Sequence, residues 1–382
     1  RHVGAGSSGG HLHGAERVHV HLGHPRLHRA GQLEVRRAGQ VGVDAALHAH
    51  LGGAARHRFV RPPCHFGKVE IIRHPAQTVR PAPLGEGTEA AFVGADVGVV
   101  DVAVDHESHR IALHRAAQRI ADDFDQTRVY ELVSAAGWAI IEPARNRELA
   151  ERAVADTGIG NVDDKIRKNH RKTFGLLRDL KGARSVGVIS EDPARGLIEI
   201  ARPVGVVAAI TPSTNPGATP ANKIINALKG RNAVIVAPSP KGWTTCARLI
   251  EFIHQQLDRI VAPRDLVQML PAPVTKELTL ELMRQADLVV ATGSQANVRA
   301  AYASGTPAFG VGAGNVAAIV DETADLATAA EKILRSKTFD NATSCSSENS
   351  VVLVDAIYTA AINALKTHGA VLVAPEDKPR LQ

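Results

Sequence analysis

From residue 124 onward the chain alternates short apolar runs with longer amphipathic stretches, and this alternation restricts the fold more than any other feature. Residues 198–210 (IEIARPVGVVAAI) read as one or two strands, and 233–236 (AVIV), 266–270 and 288–291 (LVVA) as one strand each. Residues 126–155, 162–180, 220–228, 244–258 and 274–285 carry the helical pattern between and before them. Strands separated by helices of about 10–15 residues pair in parallel, because each crossover returns the chain to the same end of the sheet. The expected fold is α/β, a doubly wound parallel sheet, with ligands gathered outside the carboxyl ends of the strands.

Each of those ends carries small or polar residues. Thr211-Pro212-Ser213-Thr214-Asn215-Pro216-Gly217 follows the first, Ala237-Pro238-Ser239-Pro240-Lys241-Gly242 follows AVIV, and Thr292-Gly293-Ser294 follows LVVA. Singly such turns are commonplace. As a set, on successive strands, they would line one crevice wide enough for a dinucleotide.

A second cluster lies further on. Residues 321–337 (DETADLATAAEKILRSK) have helical spacing and 350–354 (SVVLV) read as a buried strand, which makes 339–349 the connecting loop. Within it Cys345 is flanked by Thr343, Ser344, Ser346, Ser347 and Glu348. A thiol among small polar side chains, on a loop held by rigid elements, is open to chemistry. Locally, a structural cysteine is the alternative reading. Cys246 falls among apolar helical positions (Leu249, Ile250, Ile253) and reads as core. Cys64 receives no role. Three cysteines at wide separations give neither a disulfide framework nor metal-ligand spacing, which suits a reducing, cytoplasmic setting. With no run of about 18 apolar residues and no signal-peptide pattern, the expectation is a soluble protein without membrane contact.

Composition changes near residue 124. Residues 1–123 hold fifteen of the eighteen histidines and a single lysine, Lys68, and lack Asn, Tyr, Trp and Met altogether. Stretches such as 11–29 (HLHGAERVHVHLGHPRLHR) show neither clean helical nor alternating periodicity, so this third is expected to be irregular. Clustered His11, His13, His19, His21 and His24 could chelate zinc or nickel. Alternatively, a surplus of Arg, Ala, Gly and His is what a GC-rich gene yields when read in a wrong frame or strand, and no metal site is assigned. Residues 90–104 (AAFVGADVGVVDVAV) are apolar enough to condense locally. The net charge of +6 is shared equally, +3 from residues 1–123 and +3 from the remainder, with no basic stripe, so nucleic acid is not an expected partner.

The phrases PSTNPGATPANKIINALKGRNAVIVAPSPKG, VVATGSQANV, FGVGAGNV and FDNATSCSSENS, spread over residues 124–382, resemble the aldehyde dehydrogenase superfamily, and more narrowly its CoA-acylating branch. The resemblance implies a dinucleotide-binding domain over 124–307 and the start of a second, catalytic α/β domain over 308–382, with 1–123 outside the family pattern. It implies that Cys345 is the nucleophile and that Asn215 helps hold the oxyanion, although the residues alone would make Asn215 a turn-former between prolines. It places Thr211, Pro212, Ser239, Lys241, Gly293 and Ser294 along the cofactor cleft, for NADP or NAD. Gly310, Gly312 and Gly314 imitate a dinucleotide fingerprint, but they precede a strand-like run at 316–320 and open no helix, so that reading is rejected.

Two departures from the hydrolytic branch carry information. Where those relatives have Glu-Leu-Gly-Gly, with a glutamate that activates water, this chain has Gly310-Val311-Gly312-Ala313. An enzyme thioester without a general base would resist water and await a thiol; coenzyme A is that cosubstrate in the resembling branch. Where many relatives have a lysine on the adenosine ribose, this chain has Ala237, with Lys241 four residues on; it is either a 2′-phosphate partner favouring NADP or a solvated surface lysine. The implied reaction is CoA-acylating oxidation of a small aldehyde, sulfoacetaldehyde in the branch it most resembles, by a cytoplasmic enzyme whose full-length form is a homo-oligomer. An acyl-phosphate reductase of the same fold and a non-catalytic remnant are the rival readings. Family members continue further past the nucleophile, so the chain is expected to be a fragment.

Overall fold

Pro143 breaks what the apolar spacing alone predicts as one helix over 126–155. Proline lacks the N–H and forces the preceding residue out of helical geometry: Glu142 sits at φ −56°, ψ 129° and caps Pro143–Thr157, while Gln126–Ile141 ends before it. The computed structural model describes residues 17–22, 31–38, 67–73, 101–314 and 316–373, with side chains from residue 111 onward. It forms two compact units, one of Pro62–Gly158 and Lys165–Gly312, the other of Arg1–Arg61, Ile159–Asp164 and Ala313–Gln382.

In the first unit five strands make one sheet in the order Ala308–Val311, Leu288–Thr292, Val206–Ile210, Ala233–Ala237, Val267–Met269. Every neighbouring pair is parallel. The chain leaves Val206–Ile210 through helix Ala218–Lys229 to Ala233–Ala237, then through Trp243–Arg259 to Val267–Met269. It then reverses, and Lys276–Gln285 carries it back to Leu288–Thr292 on the other flank of the first strand. All ten residues of Val206–Ile210 and Ala233–Ala237 are buried, as central parallel strands covered on both faces must be. Gln126–Ile141 packs on Ala218–Lys229 and Trp243–Arg259. Residues 198–210 therefore split: Leu197–Pro203 belongs to a separate three-stranded antiparallel sheet with Gly67–Arg73 and Gly187–Asp192, and only Val206–Ile210 enters the parallel one.

The second unit has a mixed sheet, Val316–Val320, Glu348–Val354, Gly31–Ala38, Arg17–Leu22, Ala370–Val373. Helices Leu326–Thr338 and Tyr358–Thr367 supply Ala330, Ile333, Ala361, Ile362 and Leu365 to a core with Val320, Val351 and Leu353. The first of these helices starts five residues later than the periodicity predicts, because the Asp325 carboxylate accepts from the Thr328 N–H (2.8 Å) and caps it there.

Residues 1–123, read as irregular, nevertheless supply strands Arg17–Leu22, Gly31–Ala38 and Gly67–Arg73 and helix Asp101–Asp122. Each strand is paired with one from beyond residue 124: Arg17–Leu22 with Ala370–Val373, Gly31–Ala38 with Glu348–Val354, Gly67–Arg73 with Leu197–Pro203. Such order comes from backbone partners, which periodicity does not report. His11, His13, His24, Cys64 and residues 90–100 lie outside the described residues, as do the side chains of His19 and His21.

At the amino ends of Val206–Ile210 and Leu288–Thr292 the Asp287 carboxylate accepts from the Val206 N–H (2.7 Å) and from Arg115 (2.7 Å). Asp287→Ala leaves that fully buried N–H without an acceptor, and the expected loss is about 1–3 kcal/mol, read as a lower urea midpoint. An unchanged midpoint would show that the pin contributes nothing.

Candidate active site

Because the strand order reverses beside Val206–Ile210, the turns after Ile210 and after Thr292 leave in opposite directions and a crevice opens between them. It measures about 540 Å³ and is lined by Thr211, Pro212, Ser239, Gly293 and Ser294, together with Val274, Thr275 and Lys276. The Thr211 N–H donates to Ala237 O (3.0 Å) and the Ser239 N–H to Thr211 O (3.1 Å), so the ladder between the first two strands runs on into the floor of the cleft. Gly293, at φ +156°, occupies backbone space that favours glycine, and its N–H donates to Val311 O (3.1 Å). Ser294 caps helix Gln295–Ala303 through its Oγ (3.2 Å from the Asn297 N–H), and Thr275 caps Lys276–Gln285 in the same way (3.2 Å from the Leu278 N–H). Two helix amino termini thus open onto one cleft, each favouring negative charge.

The sequence placed five of these residues on the cleft. Lys241 is not brought to it: the side chain is exposed on the turn Pro240–Gly242 and does not line the crevice. Lys276, which sequence reasoning missed, lies on the rim. It follows the strand ending at Met269, so the same strand-end rule would have found it. Thr211 is buried, and its Oγ1 has no hydrogen-bond partner. An orphaned buried hydroxyl between two helix termini and a lysine fits a phosphate-bearing dinucleotide.

Beneath this floor the 6 % exposed Lys223 donates to Ile210 O (2.8 Å) and Val290 O (2.5 Å), one carbonyl from each strand flanking the reversal. Burial lowers its pKa from 10.5 to about 7. A neutral amine has two protons, one for each of these carbonyls.

Asn215 sits in the turn before helix Ala218–Lys229, 7 % exposed, with Oδ1 unpartnered. Its neighbour Thr214 is held by the buried Lys165, whose Nζ donates to Thr214 O (3.2 Å).

In the second unit Cys345 is exposed. The loop before it takes three left-handed residues in succession, Asp340 (φ 53°), Asn341 (φ 54°) and Ala342 (φ 62°). The handedness costs about 1–2 kcal/mol for a residue such as alanine and less for Asp and Asn. The segment 159–164 holds it: Asn161 N donates to Asp340 Oδ1 (3.2 Å), Asp340 N to Asp164 Oδ2 (2.9 Å), and Asn341 Nδ2 to Gly160 O (3.1 Å). Within the loop Thr343 Oγ1 donates to Asp340 O (2.7 Å) and Ser347 Oγ to Ser344 O (2.7 Å). The other described cysteine, Cys246, is core as expected, and burial pushes its thiol up to about 12.

Gly310 is tightly packed against two side chains. A Cβ there would stand 2.6 Å from Val298 Cγ1 and 2.9 Å from the Tyr302 ring, and the Tyr302 hydroxyl accepts from the Gly310 N–H (3.1 Å). A side chain at this position would have to displace Val298 and the Tyr302 ring. The glycine-rich stretch does precede a strand, Val316–Val320, and opens no helix, in keeping with the rejection of the dinucleotide fingerprint. Among the described residues no group of His, Cys, Asp and Glu has metal-binding geometry, and no helix is long and apolar enough to cross a membrane.

This fold and these strand-end turns define an aldehyde dehydrogenase scaffold: residues 108–378 match the model of the aldehyde dehydrogenase family, and the chain belongs to that family. It is 70 % identical over 272 residues to the sulfoacetaldehyde dehydrogenase (acylating) of Cupriavidus necator, covering 71 % of this chain and 55 % of that one. Among solved structures it is similar to an acetylating aldehyde dehydrogenase of Geobacillus thermoglucosidasius, with 36 % identity and a TM-score of 0.66 over 70 % of this chain and 59 % of that one. It is similar also to a propionaldehyde dehydrogenase of Rhodopseudomonas palustris, solved with bound CoA and an acylated cysteine, with 29 % identity and a TM-score of 0.60 over 69 % and 59 %. The chain therefore spans little more than half the length of these relatives.

Two outcomes are expected. Iodoacetamide on the native protein modifies Cys345 and spares Cys246, as peptide mass mapping would show; equal labelling would contradict the burial of Cys246. The unfolded chain holds the Lys223 proton up to 10.5 while the fold releases it near 7. Stability therefore rises with pH between those values, by at most about 1.4 kcal/mol per unit. Lys223→Met loses this rise over the first unit above neutrality, where Lys229, held to about 8 by burial, contributes little. A wild-type slope in that variant would contradict the assignment.

Proposed function

We propose that this chain carries the cofactor domain and nucleophile of a CoA-acylating aldehyde dehydrogenase that converts a small aldehyde, sulfoacetaldehyde, to an acyl-CoA. The observation that carries the reading is Gly310: a glycine, packed against Val298 and the Tyr302 ring, stands where hydrolytic relatives keep their water-activating glutamate. The boundary expected at 307/308 moves to 312/313, because strand Ala308–Val311 pairs with Leu288–Thr292; with that shift we assign dinucleotide binding to the 124–307 stretch and the nucleophile to the 308–382 stretch, in a cytoplasmic homo-oligomer.

Thr211, Pro212, Ser239, Gly293 and Ser294 bind and orient the dinucleotide, with the amides of the two helix termini and Lys276 meeting its phosphates. Lys276, which lines the cleft, is better placed than Lys241 to choose between NADP and NAD. The bound nicotinamide supplies a hydride acceptor. Cys345, as thiolate, adds to the aldehyde carbon, and the oxyanion of the thiohemiacetal is held by Asn215 and the Cys345 backbone N–H; each such donor contributes about 3–4 kcal/mol. Loss of hydride leaves a thioester on sulfur. With glycine at 310 in place of the water-activating glutamate, the thioester waits for the thiol of CoA, which takes the acyl group and returns the Cys345 thiol.

The experiment is a burst without CoA. One equivalent of reduced cofactor per chain is expected on adding sulfoacetaldehyde, then little until CoA restarts turnover; Cys345→Ala gives no burst, and Asn215→Ala slows it by about 10²–10³. Sustained turnover without CoA, or restart by phosphate in its place, would overturn the reading.

A further inference from the structure

The second unit holds a buried lysine for which the proposed chemistry has no use. Lys337, in the last turn of Leu326–Thr338, is 5 % exposed, and its Nζ donates to Asn349 Oδ1 (3.1 Å). The other end of the same amide, Asn349 Nδ2, donates to Gly314 O (3.0 Å). Gly314 lies directly against the nucleophile's backbone, for a Cβ on it would stand 2.6 Å from the carbonyl oxygen of Cys345. Lysine, amide, glycine and cysteine form one continuous line of contact.

The amide alone could face either way, since its oxygen and nitrogen have nearly the same shape and opposite hydrogen-bonding character. A flipped Asn349 would set Oδ1 against the Gly314 carbonyl and its NH2 against the ammonium. The donor at Lys337 forbids that. Burying an ammonium costs free energy, and burial lowers the Lys337 pKa while Glu348 opposes the shift.

We propose that Lys337 is a positioning residue for Cys345: it fixes the orientation of Asn349, Asn349 holds the Gly314 carbonyl, and Gly314 sets the backbone from which the thiol and its N–H project. This rests on the reading of Cys345 as nucleophile. Asn349→Asp tests the relay most cleanly, because it keeps an acceptor for Lys337 and replaces the donor to Gly314 by an oxygen.

Stopped-flow measurement of the hydride burst and iodoacetamide titration of Cys345 against pH are run on Lys337→Met, Asn349→Asp, the double variant and Cys345→Ala. Misplacement of a reacting group costs about tenfold or more, so both single variants slow the burst to that extent with NADP binding unchanged, and both move the alkylation profile together. The double variant is no worse than either single one, because the residues act in series. Asn349→Asp with a wild-type burst and alkylation profile, or additive losses in the double variant, would overturn the relay. A burst retained in Cys345→Ala would instead remove the reading of the cysteine, which separates the two failures. Should Lys337→Met not fold, the more conservative Asn349→Asp alone decides.

Discussion

The reversal of strand order beside Val206–Ile210 is the constraint on which the cofactor side of this protein depends. Two crossovers that left the same strand pair in one direction would cover its end; here one leads toward Ala233–Ala237 and the other arrives from Leu288–Thr292 on the opposite flank. The gap between them is a product of topology, and the side chains only furnish it. Its floor is stiff because the hydrogen-bond ladder continues into Thr211 and Ser239 and because Lys223 ties Ile210 to Val290 from below. The helices that begin at its rim bring their amino termini to the same place. A cleft made this way is pre-formed, so binding energy need not be spent on ordering it.

The cysteine loop solves a different problem. A reactive side chain has to stand free of the core while its backbone is held still. Three left-handed residues turn the chain sharply ahead of Cys345, and the 159–164 segment compensates the strain with hydrogen bonds to each of the two polar ones. Behind the cysteine, Gly314 allows a backbone approach that any side chain would block. Close packing at Gly310 and close backbone approach at Gly314 thus come from one glycine-rich stretch.

Much of this was legible in the residues. The 206–292 alternation gave the parallel sheet, and the polar turns at its strand ends gave five cleft residues, because burial on both faces and crossover length leave plain patterns. What stayed hidden was of two kinds. Long-range backbone pairing left no trace, so Arg17–Leu22, Gly31–Ala38 and Gly67–Arg73 were read as irregular; their partners lie beyond residue 124. Buried lysines were also missed, since Lys165, Lys223 and Lys337 look in sequence like ordinary surface lysines on helices. Lys241 failed in the opposite sense: proximity in sequence to the missing ribose lysine did not bring it to the cleft, and Lys276 stands there instead. Pro143 was a stop signal in plain view, outweighed by the apolar spacing on either side.

The central claim is that the strand-end cleft receives the dinucleotide. Hydrogen–deuterium exchange with and without NADP tests it directly, because ligand contact slows exchange of the amides it covers. Slowing confined to the turn after Ile210, to Ser239, and to the first turns of Lys276–Gln285 and Gln295–Ala303 is the result predicted. Unchanged exchange at those amides, with slowing elsewhere in the chain, would contradict it.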